Sequence, residues 1–270
     1  MPIVPPPEYK KRFAALDYDG PDYVRDGNPN PIAVAIDDAI QSQKPRPEFP
    51  PVDVQHLMDL YDDEIGSLDE ELAVLLADLE KRGLLERTIV VLAADNGEQF
   101  LEHGFLKHGY TLYDTDIHTP LAWRIPGVGP GEISAPVQNL DLVPTLLDYL
   151  GVRVDSLALE GRSLRGLIEG AAAAPAGGTY AFAMQDLKRA VADDRYKLLF
   201  SARTKQFELV DLRADPGERA DVLAHNPEAF LRLQPLLKEW EMKMARGRPE
   251  ELERAGQEVQ ERLRALGYLP

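Results

Sequence analysis

Residues 88–108 read TIVVLAADNGEQFLEHGFLKH. The opening six residues, 88–93, form an uninterrupted apolar and β-branched run, followed at once by Asp95, Asn96 and Gly97. A continuous run of this kind is the pattern of a strand buried on both faces, as in a parallel sheet. Open α/β sheets bind their ligands just beyond the carboxyl ends of such strands. Two hard oxygen donors, Asp95 and Asn96, stand at that point, and His103, Lys107 and His108 follow in the next loop. Oxygen ligands beside cationic donors suit a metal-assisted reaction on an anionic ester. Taken alone, Asp-Asn-Gly reads first as a polar turn that ends a strand, so the surrounding sequence has to decide.

Upstream, Asp53 is placed to cap a long helix whose apolar positions are Leu57, Leu60, Tyr61, Ile65, Leu68, Leu72, Leu75, Leu76 and Leu79. Spacings of three and four make these one stripe, with Gly83 set to end the helix. Asp62, Asp63, Glu64, Asp69, Glu70 and Glu71 read as its solvated face. Residues 1–52 are Pro-rich and aperiodic, an irregular lead-in in which only 31–41 looks helical. Downstream, the Gly-punctuated loop 97–113 is long enough to suggest function. Residues 120–125 read as a second internal strand, Asp141 caps a helix stopped by Gly151, and Ser163 caps another ending at Gly170.

The small-residue stretch AAAAPAGG at 171–178 is a linker. After it, short strands at 180–185, 189–192, 196–200 and 206–212 imply an antiparallel sheet. Asp215-Pro216-Gly217 is a turn, Asn226-Pro227 opens a helix, and the last 25 residues are charged and helical in pattern. The organisation predicted is therefore a lead-in over 1–52, an α/β segment over 53–170 and a small antiparallel-sheet subdomain with C-terminal helices over 171–270.

Composition narrows the function. A formal net charge of −16 argues against nucleic-acid or anionic-membrane partners. The absence of cysteine excludes disulfides, thiolate catalysis and Cys–zinc sites. No stretch approaches the roughly 20 apolar residues of a membrane span, and the first residues, MPIVPPPEYKKRF, lack the apolar core of a secretory signal. The compartment is left open.

Several segments in order resemble the sulfatases of the alkaline-phosphatase-like superfamily. PPPEYKKRF is similar to the segment after a sulfate-binding motif of that family. LYDDEIGSLDEELAVLLADLEKRGLLERTIVVLAADNGE resembles its helix, crossover strand and metal motif, and EHGFLKHGYTLYDTDIHTPLAWRIPG its substrate loop and next strand. NLDLVPTLLDYLGV, LEGRSLRGLIEG, RYKLLF, FELVDLRADPGERADV and ERLRALGYLP resemble its later elements. The resemblance implies an alkaline-phosphatase-like α/β/α sheet followed by a small α+β subdomain. It also implies hydrolysis of a sulfate monoester by the complete form. Asp95 and Asn96 match two of four usual protein ligands for Ca²⁺ or Mg²⁺. His108 or Lys107 matches the cationic residue that contacts the sulfate or protonates the leaving oxygen. His103 is a weaker substrate-binding candidate. His56, His118 and His225 are expected to be surface or structural.

The chain departs from the family pattern where the nucleophile should be. Sulfatases use a formylglycine made from Cys or Ser in a Cys/Ser-x-Pro-x-Arg motif. Here Ser134-Ala135-Pro136-Val137-Gln138 comes nearest, with Gln for Arg and in the wrong order relative to the metal strand. The N-terminal aspartates that complete the metal site are also without counterparts. The expectation is an incomplete sulfatase sheet lacking the formylglycine-bearing half, binding its metal weakly, with little or no activity as an isolated chain and self-association through an exposed sheet edge. A non-catalytic interaction chain and part of a phosphatase or phosphonate-ester hydrolase are the competing readings.

Overall fold

The structure is a computed structural model and describes residues 12–13, 18–20, 34–35, 38–39, 48–152, 159–170 and 179–246. Of the predicted 31–41 helix, only residues 34–35 and 38–39 are described, and these are helical. The 171–178 linker and the stretch from 247 onward lie outside the described residues.

Helix α1 (Pro51–Lys81) starts with Pro at its first turn rather than with an Asp53 side-chain cap. Its C-terminus is as expected: Gly83 has φ 64°, and the N–H groups of Gly83 and Leu84 bond Glu80 O and Leu79 O, a Schellman ending. The covered side differs from prediction. Asp53, Leu57, Leu60, Asp63 and Ser67 are buried, whereas Ile65, Leu68 and Leu75 are exposed. With 3.6 residues per turn, the covered line is rotated roughly 90° from the apolar stripe and shares only its edge. Hydrogen bonding from the lead-in explains the shift. Tyr18 donates its hydroxyl to Asp53 at 2.8 Å and Phe13 its N–H to Asp63 at 2.9 Å. Asp63 is therefore fully buried instead of part of a solvated face. Tyr18 also stacks on His56 at 3.8 Å, so that histidine is half-buried rather than on the surface.

After α1, strand β1 (Val90–Ala93) pairs with β2 (Leu121–Arg124) in antiparallel register, Val90 opposite Arg124 and Ala93 opposite Leu121. This corrects the expectation of a parallel strand buried on both faces: Leu92 is 42% exposed, and β2 is the one partner of β1 among the described residues. The intervening chain includes the single-turn helix α2 (Asp114–Ile117), which reverses direction and lets β2 return alongside β1. Helix α3 (Leu142–Tyr149) and the short α4 (Arg165–Ile168) follow. The Asp141 side chain does not cap α3 but accepts the Gln138 N–H, and Leu164 rather than Ser163 stands at the N-cap of α4, with Ser163 Oγ accepting the Arg165 N–H. Gly151 and Gly170 adopt positive φ.

Strands β3 (Ala181–Gln185), β4 (Lys188–Ala192), β5 (Tyr196–Ser201) and β6 (Gln206–Asp211) form an antiparallel sheet in that order, close to the predicted spans. Alternation divides its faces. Val191, Leu198 and Leu209 share a register row and pack on Ala229, Leu233 and Leu237 of helix α5 (Pro227–Arg246). The opposite face presents Lys188, Lys197, Leu199 and Glu208 to the loop that precedes α2. There Lys197 Nζ donates to Leu112 O at 3.2 Å and pairs with Asp114 at 2.5 Å and with Glu218 at 2.7 Å. Lys197 and Glu218 side chains are each 1% exposed. Glu218, φ 51°, also accepts the Asp114 N–H, so the Asp215–Glu218 turn does more than reverse the chain.

Breaking a buried pair on one side leaves an uncompensated charge. Lys197→Met is expected to lower unfolding free energy by about 3–5 kcal/mol in urea titrations, and Lys197→Met with Glu218→Met to recover most of that loss. Acid sensitivity follows from Asp193. Burial alone would raise its pKa, but hydrogen bonds from Tyr196 N–H, Arg232 and Arg195 N–H bring it below the ordinary carboxylate range. The folded pKa is depressed, so its stabilisation is complete above the unfolded value near 3.9 and disappears as pH falls through the folded value. The urea midpoint should fall less on acidification below about pH 4 in Asp193→Asn than in the unmodified chain.

Candidate functional site

Asp95 and Asn96 leave β1 at its carboxyl end, as the sequence indicates. Asp95 Oδ1 accepts the Asn96 N–H at 3.1 Å, which leaves its other oxygen for a cation. Asn96 donates Nδ2 to Gly97 O at 2.8 Å, so the carbonyl end of its amide is the end left for a ligand. Ala94 O is held by Asn139 Nδ2 at 3.0 Å, which ties this corner to the start of α3.

Gly97 is required by close approach rather than by a turn. Its N–H bonds Asp116 O at 2.8 Å, and a Cβ there would stand 2.2 Å from Thr115 O. Any side chain at 97 would push the strand end away from α2. Below it, Asp116 Oδ2 accepts the Thr111 N–H, the Thr111 hydroxyl and Gln99 Nε2, each at 2.8 Å. Gln99 is fully buried, and this network fixes the base of the loop.

The loop then folds back on itself. Gln99 and Lys107 exchange backbone hydrogen bonds of 3.0 and 3.3 Å around a Phe100–Leu106 bridge, and both apolar residues pack beneath Leu57 of α1. Lys107 adopts φ 71° as the chain leaves this hairpin. His108 thereby returns beside Glu98, Nδ1 to Oε2 at 2.8 Å, only two residues along from Asn96 in sequence. With Nδ1 so engaged, Nε2 is the ring nitrogen that lies outside this contact.

His103 lies apart from that pair. Its ring stacks on Tyr113 at 3.8 Å, and burial, together with Lys197 and Arg219, lowers its pKa against the opposing pull of Glu102 and Asp116. Tyr113 in turn donates its hydroxyl to Glu208 at 3.0 and 3.1 Å. Burial raises both of these groups, Tyr113 above the ordinary phenol range and Glu208 above the ordinary carboxylate range. His118 is 80% exposed and stands 3.8 Å from Asp114, and His225 is exposed.

Sequence reasoning passed over Glu98, Gln99, Thr111, Asp116 and Lys197. Glu98 had a usable signal, since it directly follows Asp-Asn-Gly. Lys197 had a fainter one, a cation at a sheet position between Tyr196 and Leu198. Among the described residues, no group of three or more His, Asp or Glu is arranged to hold a metal ion. Asp95 and Asn96 supply two of the six to eight oxygens that calcium takes.

Known proteins bear on these residues as a set. The family described as Sulfatase matches residues 3–152, and the one described as N-sulphoglucosamine sulphohydrolase, C-terminal, matches residues 101–247. The chain is 30% identical to N-acetylglucosamine-6-O-sulfatase of Bacteroides thetaiotaomicron over 203 residues, covering 69% of this chain and 36% of that protein. It is 30% identical to choline-sulfatase of Rhizobium meliloti over 60% of this chain and 32% of that one. Among solved structures, phosphonate monoester hydrolase from Silicibacter pomeroyi superposes with a TM-score of 0.63 at 27% identity, over 76% of this chain and 44% of that one. A further structure, in complex with its substrate D-glucosamine-2-N,6-O-disulfate, superposes with a TM-score of 0.61 at 26% identity, over 73% and 43% of the two chains. The chain thus spans about a third of the length of these curated relatives. The fold is sulfatase-like, and the chain belongs to the sulfatase family of the alkaline-phosphatase-like superfamily.

Proposed function

We propose that this chain carries the second part of a sulfuric ester hydrolase site, with Asp95 and Asn96 as ligands to Ca²⁺ or Mg²⁺ and His108 or Lys107 as the residue that meets the ester. The observation that supports it best is the loop closure, which sets His108 Nδ1 against Glu98, the residue right after Asp95-Asn96-Gly97, at 2.8 Å. The donors fit a hard cation: one carboxylate oxygen and one amide oxygen on adjacent residues. A bound ion would polarise the ester as a Lewis acid. Glu98 would fix the His108 ring so that Nε2 faces the leaving oxygen, and Lys107 would supply positive charge where sulfate charge develops.

Further support comes from what the residues lack. The chain has no Cys, and its nearest Ser-x-Pro sequence has Gln138 in place of the motif's Arg. A covalent step needs its nucleophile, so turnover is a property proposed for the complete site. Likeness to a phosphonate monoester hydrolase favours one alternative, a phosphonate or phosphate ester as substrate on the same metal corner.

Isothermal titration of the purified chain with Ca²⁺ tests the reading. Weak, millimolar-range binding is expected, lost in Asp95→Ala and in Asn96→Ala but kept in His108→Gln, while 4-nitrophenyl sulfate turnover stays at background in every variant. Binding that survives Asp95→Ala, or metal-dependent turnover by the chain alone, would contradict it.

A further inference from the structure

The carboxylate of Glu208 sits where the loop meets the polar face of the sheet, and little there compensates its charge. Its hydrogen bond comes from a neutral donor, the Tyr113 hydroxyl, which lies 3.0 and 3.1 Å from its two oxygens. The cations around it are committed to other groups. Lys197 holds Asp114 and Glu218, Lys188 donates to Tyr110 O, and Arg189 pairs with Glu241 at 3.4 Å and donates to Asp186 O and Lys188 O. Asp221, from the chain after β6, places a second negative charge on this side, and its Oδ1 accepts the Leu209 and Leu223 N–H groups at 3.1 and 2.9 Å. A half-buried carboxylate with one neutral donor and a like charge beside it is better accommodated as the neutral acid. Burial accordingly raises the Glu208 pKa and Asp221 adds to it, against the smaller pull of Tyr113 and Lys197.

This environment exists only when loop and sheet are together. Tyr113 belongs to the loop and Glu208 to β6, so separating them returns the carboxyl to water and to its ordinary value near 4.3. A cleft of about 670 Å³, lined by His103, Tyr113, Glu208 and Asp221, opens beside the pair and lets protons exchange with solvent. We propose that docking of the loop on the sheet is proton-linked through Glu208: the carboxyl takes up a proton from solvent as the loop closes, so the segment carrying His103, Lys107 and His108 is held more firmly in mild acid than at neutral or alkaline pH. A group whose pKa is raised by docking stabilises the docked state fully below its undocked value, and that contribution is lost as pH rises through the docked value. Glu218 shifts the same way, burial outweighing Lys197 and the Asp114 N–H. His103 acts in the opposite sense, because burial, with Lys197 and Arg219, lowers its pKa against Glu102 and Asp116. The latch concerns the position of the loop and stands whether or not the chain is part of an ester hydrolase.

Amide hydrogen exchange on the full chain tests the latch, comparing His103→Gln, which removes the opposing histidine, with His103→Gln plus Glu208→Gln. Rates are read as protection factors between about pH 5 and about pH 8, which takes out the intrinsic pH dependence of exchange. In His103→Gln, protection of the Gln99, Lys107 and Asp114 amides should fall severalfold from the acid to the alkaline end, with the β4 and β5 amides unchanged. Adding Glu208→Gln should keep the acid-end protection and abolish most of the fall, because glutamine stands in for the neutral acid at every pH. No fall in His103→Gln, a fall that survives Glu208→Gln undiminished, or protection already lost at the acid end while the sheet stays folded would each overturn the proposal. Circular dichroism reports whether the sheet is intact. If Glu208→Gln unfolds it, a ¹³C titration of the Glu208 carboxyl in the unmodified chain decides, with a midpoint above about 4.3 expected and one at or below that value contradicting the latch.

Discussion

One buried ammonium connects the two halves of the described structure. Lys197 reaches from the middle of the C-terminal sheet to Leu112 O, Asp114 and Glu218, and it is almost wholly excluded from water. Taking a lysine out of water is costly unless the charge is paired and hydrogen-bonded. Here the compensation comes from two distant parts of the chain at once: Asp114 begins the helix after the loop, and Glu218 ends the turn after the sheet. The arrangement is satisfied only when loop and sheet are docked. Glu208 with Tyr113, and Lys188 with Tyr110 O, repeat the pattern along the same face. The sheet therefore has an apolar side that holds helix α5 and a polar side that holds the loop.

That docking bears on the proposed function because the loop carries the candidate residues His103, Lys107 and His108. Its base is fixed beside Asp95 and Asn96 by Gly97 and the Gln99–Thr111–Asp116 network, and its underside packs on α1 through Phe100 and Leu106. The sheet then bounds the far side. Held on three sides, the loop sets His108 against Glu98 and His103 against Tyr113, two different environments a few residues apart. The match described as N-sulphoglucosamine sulphohydrolase, C-terminal, runs from the loop through the sheet without a break, so the docked loop and sheet lie within one family segment.

Sequence patterns conveyed local structure well and partnership poorly. Gly83, Gly151 and Gly170 marked helix ends because positive φ is a property of single residues. The four C-terminal strands were legible because alternation and turn residues are local. What failed was the choice of covered face. The α1 stripe was real as a pattern, yet Asp53 and Asp63 took the buried side because Tyr18 and Phe13 bond them from residues far earlier in the chain. The run at 88–93 described an apolar strand but not its neighbours, so its antiparallel pairing with β2 was beyond local reasoning. In the site, Asp95, Asn96 and His108 were visible as residue types in a recognisable order. Glu98, Thr111 and Asp116 were not, since their roles exist only once the loop folds back.

The central claim is that the polar face of the sheet holds the loop in place, and amide hydrogen exchange on Asp114→Asn addresses it directly. This substitution weakens the grip on the loop and leaves the buried Lys197–Glu218 pair within the sheet region intact. Faster exchange confined to residues 97–116, including the Gly97, Gln99 and Lys107 amides, with β3–β6 unchanged, is the expected result. Unchanged exchange in the loop, or an increase spread evenly over loop and sheet, would contradict the account.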